Sequence, residues 1–470
     1  MKTFPHAFFE IIHGNSLNFK EFVREKAFTE CFNQKEEDFM KKCSALILAL
    51  LMTLSLAACG GGGGGATSDA SQDNSGGGSV NITIFNSKSE IQSQFEEMAA
   101  EYSKATGVGM EVYFSSDTVA AHMATRYASN DPYTLAMVDA KDVYSLGPEH
   151  AIDMSGEDWV ANTQYAVSVG DQVMGFPMCV EARGVMYNAD AIEAITGAPF
   201  VPSDYATLDA FKGLLDTLVA GGMEAPVGIM KEDWSLAAHL LAEFYEEQPD
   251  VFAYVDGLHD GTSTVADNEK FNAIMDFFDV MKQYNYAAAS PIAAEREVSE
   301  QYLAEGKIAF MFGGNWDWSM INAYDYSEHL GMMPVPQNLD DGDNMKLVGG
   351  GSKFFFIDSS EYTSDEQRQA AKDFLNWLVF SEDGNKFLTE DCALVPAFSN
   401  IAAENLDPLG ASVKEYADAG NLIDNYNYLP DDHYSMMGAE MQKYLAGQSD
   451  RAAFAAAIEQ YWASTTPVAR

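Results

Sequence analysis

The sequence predicts an α/β fold, on three observations. Short β-rich runs recur at Val80 to Phe85, Met110 to Phe114 and Leu135 to Val138. Stretches with helical apolar spacing follow the first of them and return late in the chain. The 470 residues are 47% hydrophobic and 21% charged, an ordinary globular composition long enough for two to four domains or one bilobed unit. Strands alternating with helices over this length indicate largely parallel sheets, whose ligands bind off the carboxyl ends of strands.

Each element has a local cause. Val80-Asn81-Ile82-Thr83-Ile84-Phe85 is a β-branched run. Ser87 stands three residues before Glu90 and reads as a capping box opening a helix. Ile91, Phe95, Met98, Ala99 and Tyr102 form its apolar face, and Gly107 ends it. After the strand Leu135 to Val138, Asp139-Ala140-Lys141-Asp142 reads as a polar loop. Ser364 with Gln367 caps a later helix whose Ala371, Phe374, Leu375 and Leu378 share one side.

The N-terminus is composite. Lys41-Lys42 precede the apolar run Cys43 to Ala58, too short for a membrane span but shaped like a secretory signal. It ends in Leu56-Ala57-Ala58-Cys59-Gly60, which resembles the lipobox of bacterial lipoproteins; that resemblance implies cleavage before Cys59 and lipidation of its thiol. Residues 1–39 show no trustworthy period, and Glu36-Glu37-Asp38 can be encoded by a purine-rich ribosome-binding sequence just before Met40. The expectation is an upstream leader over 1–39, a signal peptide over 40–58, and a lipidated, Gly/Ser-rich tether over 59–79. Twenty such flexible residues span about 25 Å root-mean-square.

The chain carries 27 Lys+Arg against 71 Asp+Glu, a net charge of −44. Residues 1–58 hold seven of each sign, so the exported part carries the whole excess. Nucleic-acid binding is disfavoured, since no basic stripe exists to neutralise phosphates. High net charge favours a soluble monomer. The acidic turn Asp340-Asp341-Gly342-Asp343 lacks the terminal glutamate of a calcium loop and reads as a solvated turn. The histidines are dispersed, and no glycine-rich nucleotide motif or Gly-x-Ser-x-Gly elbow sits at a strand–helix junction, so neither metal nor cofactor is expected. Within the exported body Cys179 and Cys392 either pair or stay as two small buried hydrophobes.

Four segments carry a family resemblance. They are Gly175 to Glu181 running into Gly184 to Asp190, Pro202 to Leu208, Glu305 to Trp318 with its Gly313-Gly314 turn, and Ala371 to Val379 followed by Ser381-Glu382-Asp383-Gly384 and Val395-Pro396. In order and spacing, from about Val80 to the C-terminus, they resemble the extracellular solute-binding proteins of bacterial sugar ABC importers, the maltose-binding-protein-like family. The resemblance implies a two-lobed, periplasmic-binding-protein-like fold with a hinge and an interlobe cleft. One lobe is expected at 80–180 plus 350–397 and the other at 181–349 plus 398–470. It implies a carbohydrate ligand, permease partners in the membrane, and an extracellular, lipid-anchored location.

On the same resemblance, Glu181 hydrogen-bonds sugar hydroxyls while Trp234 and Trp316 stack on sugar faces. Ser87 and Lys88, Asp139, and Asp233 beside Trp234 add polar contacts. Such roles suit a pyranose, whose edges are polar and whose faces are lined by C–H groups. Trp318 and Trp377 read as core. The rival reading is a glycosidase using two of Glu181, Glu232, Asp233 and Asp317; a sensor or adhesion lipoprotein is the third.

Overall fold

The computed structural model describes residues 80–470, apart from 116, 404, 467, 469 and 470. The expected leader, signal peptide, Cys59 lipidation site and tether lie outside these described residues. Among the described residues ten strands pair in one mixed sheet: β1 (Asn81–Asn86), β2 (Gly109–Tyr113), β3 (Leu135–Val138), β4 (Val167–Val169), β5 (Gln172–Asn188), β6 (Val227–Gly228), β7 (Phe310–Gly314), β8 (Leu330–Met333), β9 (Leu347–Ile357) and β10 (Leu422–Ile423). The main order is β2-β1-β3-β9-β5-β7-β6.

The parallel expectation holds at the ends and in the short pair of β10 with β9. β1 runs parallel to β2 and β3, and β6 runs parallel to β7. The centre is antiparallel, because β5 and β9 are long strands that run in opposite directions between the halves of the molecule. β5 pairs with β9 from Phe176 to Arg183, then with β7 and β8 from Arg183 to Asn188. The changeover falls at Glu181 to Arg183. The two backbones come close there: a Cβ on Gly349 would meet the Glu181 carbonyl and Ala182 at 2.5 Å. Glycine in a strand marks such an approach.

Strand alternation distributes the core. Ile82 and Ile84, Leu135 and Met137, and Phe355 and Ile357 face one apolar layer, with Phe95 and Phe374 from the covering helices. Their neighbours Phe85, Ala136, Val138, Phe354 and Phe356 face a second layer with Met123 and Val143. Side chains alternate across a strand, so a run apolar at every position is buried on both faces. Beyond the changeover, Met186 and Met311 continue the first layer, whereas Val185, Phe310 and Phe312 enter a separate core with Phe211, Phe277 and Trp462.

Several local expectations are corrected. Ser87 makes no capping box. Asn86 accepts the Lys88 N–H at 2.8 Å and donates to the Lys88 carbonyl at 3.0 Å, so the chain enters a 3-10 turn at Ser89–Ile91 before the helix Gln92–Thr106. Asp139 to Asp142 is no loop but the start of the helix Ala140–His150, with Asp139 and Asp142 as its capping box. The acidic turn is not merely solvated: Lys270 lies 2.8 Å from Asp341 and 2.5 Å from Asp343. Phe398 packs on Trp159 and Phe176. Trp377 and Trp318 are half-buried, lying against Tyr102 and Tyr326. The Ser364 box and the Gly107 cap form as expected. Cys179 and Cys392 are both buried and unpaired.

Candidate functional site

A cleft of about 590 Å³ opens where β1 and β3 end and where β5 and β9 cross. Its size falls in the range of small-molecule sites. Trp234 and His239 on the π-helical segment Trp234–Leu241, Trp316 after β7, and the chain around Asn425 to Tyr434 complete the wall.

The turn after β1 delivers Lys88. Asn86, wholly buried, locks that turn, and it also donates to Gln92 at 2.9 Å. The Lys88 ammonium, only 3% exposed, lies 2.5 Å from Glu181 and 2.7 Å from Glu90. Burial alone would lower its pKa, but the two carboxylates, Glu181 foremost, outweigh burial and raise it. The other Glu181 oxygen accepts from the Ser352 hydroxyl. Both oxygens are therefore oriented, and each keeps lone-pair capacity for a further donor.

The β3 end supplies Asp139, bound at 2.6 Å by Lys353. Burial pushes its carboxyl upward, while Lys353 overcomes this and holds it below the usual range. Lys353 adopts a left-handed φ of +51° inside β9. For a residue with a Cβ this costs roughly 1–2 kcal/mol, and such outliers cluster at ligand sites. Asp142 accepts the Asp139 N–H at 3.3 Å, and burial with the neighbouring Asp139 charge pushes its pKa up to about 7.

Arg183 comes from the changeover in β5. Its guanidinium, 6% exposed, donates to Glu246, to Asn425 at 2.6 Å and to the His239 carbonyl at 3.3 Å. His239 stands between the indoles, with ring centroids 5.3 Å from Trp234 and 4.8 Å from Trp316. Burial, reinforced by Arg183, pushes its pKa down to about 3, so the imidazole is neutral. Trp234 is backed by the Arg296 guanidinium 5.2 Å from its ring centroid. Trp316 folds back onto Gly314, where a Cβ would come within 2.4 Å of three indole ring atoms. The glycine turn is thus a seat for a flat aromatic, which a side chain would block.

Of the residues expected from sequence, Ser87, Lys88, Asp139, Glu181, Trp234 and Trp316 line this cleft. Asp233 does not: its carboxylate accepts the Trp234 N–H at 2.8 Å, and its Cβ packs beside Gly438. Among the four carboxylates nominated for hydrolysis only Glu181 reaches the cleft; Asp317 is bound by Arg296 and the Gly314 N–H. Sequence reasoning missed Arg183, His239, Glu246, Ser352, Lys353 and Asn425. For Arg183 a signal existed, since residues 181 and 183 share one face of a strand. For Lys353 the Gly349-Gly350-Gly351 run marked an unusual backbone.

The sequence profile of bacterial extracellular solute-binding proteins matches residues 97–421. No curated protein matches the chain by sequence. Among solved structures the chain is similar to the solute-binding protein RafE in complex with raffinose (18% identity, 82% of this chain and 99% of that one, TM-score 0.67). It is also similar to a family 1 extracellular solute-binding protein from Bifidobacterium longum subsp. infantis (22%, 83% and 100%, TM-score 0.60). A third is a sugar transporter from Bacillus licheniformis in complex with stachyose (19%, 82% and 99%, TM-score 0.61). At these identities the likeness establishes a two-lobed fold.

Proposed function

Given that the chain belongs to the bacterial extracellular solute-binding proteins, we propose that it captures an oligosaccharide in this cleft and hands it to the permease of an ABC importer. The observation that carries the proposal is the pair of half-buried tryptophans, 234 and 316, set on one cleft with the oriented oxygens of Glu181. Flat apolar surfaces suit the C–H faces of a sugar, and a carboxylate held by Lys88 and Ser352 suits its hydroxyl edge. The bound solutes named for two of the similar structures, raffinose and stachyose, support the same class.

The protein acts as a receptor and not as a hydrolase. It works as a monomer held outside the cell by a lipid on Cys59, with no nucleic-acid partner. Among the described residues no helix is long and apolar enough to cross a membrane.

Melting the full chain with raffinose, stachyose, mannotriose and N-acetylglucosamine trimers tests the proposal. A ligand at 100 times its Kd adds about 2.7 kcal/mol of stability, and chromatography then recovers it intact. Failure of every oligosaccharide to raise Tm refutes the carbohydrate assignment, and shortened products refute the receptor role.

A further inference from the structure

We propose that the cleft is selective for uncharged oligosaccharides, because the charged side chains on its wall are already paired with one another or with neighbouring residues of the chain. The inference rests on the carbohydrate reading and deepens it. Four ammonium or guanidinium groups line the cleft. Lys88 is held by Glu181 and Glu90, Lys353 by Asp139, Lys141 by Asp431, and Arg183 by Glu246. The lining histidines, 239 and 433, add no charge, since burial depresses both to about 3.

The six lining carboxylates share these four cations, Glu90 and Glu181 both lying on Lys88 and Asp142 and Asp431 both near Lys141. Glu90, Asp139, Glu181, Glu246 and Asp431 are the partners just named, and Asp142 takes the Asp139 N–H with Lys141 3.9 Å away. Glu246 further accepts the Tyr426 N–H at 2.9 Å. The pairs join distant parts of the chain: Lys88 and Glu181 are 93 residues apart, Lys353 and Asp139 214, and Lys141 and Asp431 290.

This pairing discriminates by chemistry. A hydroxyl donates to a spare lone pair of Glu181 or Asp139 without breaking an ion pair. A uronate, sulfate or phosphate has to strip a cation from its partner or lose its hydration beside a carboxylate, and a group losing water without a partner binds poorly. An ammonium meets carboxylates that already hold their cation. Specificity by unfavourable alternatives follows from a wall built this way.

The overall charge of −44 also repels anions, and salt separates the two causes. The Debye length falls from about 10 Å at 0.1 M to about 3 Å at 1 M, so remote repulsion fades while contact pairing persists. The test titrates full chain in detergent with N-acetylglucosamine trimer, glucosamine trimer and galacturonate trimer, at 0.1 M and 1 M salt. The expected result is at least a hundredfold preference for a neutral oligosaccharide (this trimer, or raffinose or stachyose in its place) over both charged trimers, retained in 1 M salt.

Asp431→Asn, which frees Lys141 at the rim, should narrow the neutral-to-galacturonate ratio about tenfold. Using a ratio cancels any change in cleft closure common to both ligands. Asp139→Asn, freeing Lys353, gives the same readout if Asp431→Asn fails to fold. Equal or tighter binding of either charged trimer, collapse of the preference in 1 M salt, or an unchanged ratio in the folded variant overturns the inference. Absence of binding by every oligosaccharide, charged or neutral, overturns instead the carbohydrate reading.

Discussion

Gly314→Ala should weaken sugar binding without removing any group that touches sugar. Gly314 has φ −137° and ψ 173°, an extended conformation open to any residue, so the backbone tolerates alanine. Its N–H bond to Asp317 also survives. The nearest obstacle is the Trp316 indole, three of whose ring atoms lie within 2.4 Å of the new methyl. The ring therefore has to leave its seat. An indole buries about 150–250 Å², and sugar can cover about half of it, worth roughly 2–3 kcal/mol at about 25 cal/mol per Å². That corresponds to about a 30- to 200-fold rise in Kd. Titration of Trp316→Ala should show this loss. Gly314→Ala should approach it, and adding Gly314→Ala to Trp316→Ala should cost nothing further, because the two act through one ring. Since Trp316 is only half-buried, its truncation should lower apo stability by roughly 2 kcal/mol, below the 3–5 typical of a fully buried aromatic. Independent, additive losses of affinity, or a Gly314→Ala protein with wild-type affinity, would refute the seat and the stacking role together.

Three other outcomes follow from the same geometry. Glu246→Ala leaves the Arg183 guanidinium buried without its carboxylate, and denaturant melts should show a loss of about 3–5 kcal/mol; a loss under about 1 kcal/mol would mean that Glu243, 3.9 Å from Arg183, takes over. His433 is 1% exposed and burial depresses its pKa to about 3, so the unfolded chain binds its proton first as pH falls. Above about 6.5 the histidine has no pH effect. Between there and 3 it costs increasing stability as pH falls, about 2 kcal/mol at pH 5, and wild type should lose that much more than His433→Phe between pH 7 and 5 in paired melts. Cys59→Ser should leave the membrane fraction or remain unprocessed, whereas a processed variant that stays bound in high salt would sink the lipid-anchor proposal.

What could be read in advance, and what could not, divides by distance along the chain. The helix face from Ile91 to Tyr102, the Gly107 cap and the Ser364–Gln367 box are decided within a few residues, and all form. Even local signals fail where a stronger neighbour competes. Ser87 satisfies the capping-box spacing, yet Asn86 takes the Lys88 N–H first, and the Ser87 hydroxyl is left buried without a partner. Asp139 and Asp142 looked like loop residues because a polar run after a strand carries the same composition as a helix N-cap.

That Trp316 lines the cleft was legible for a related reason: it follows a glycine turn, and turn chemistry is written beside the residue it positions. Charge is different. Lys88, Arg183 and Lys353 can be counted in the sequence, but whether each faces a ligand freely or is already spoken for depends on Glu181, Glu246 and Asp139, brought in by the antiparallel crossing of β5 and β9 and the ends of the strands beside it. A reader of sequence sees cations and acids in a strongly acidic chain and has no means to neutralise one with the other. The fold does so at the cleft wall, and for that reason the pairing of these charges belongs to tertiary structure, whereas the place of Trp316 is set by the glycine turn beside it.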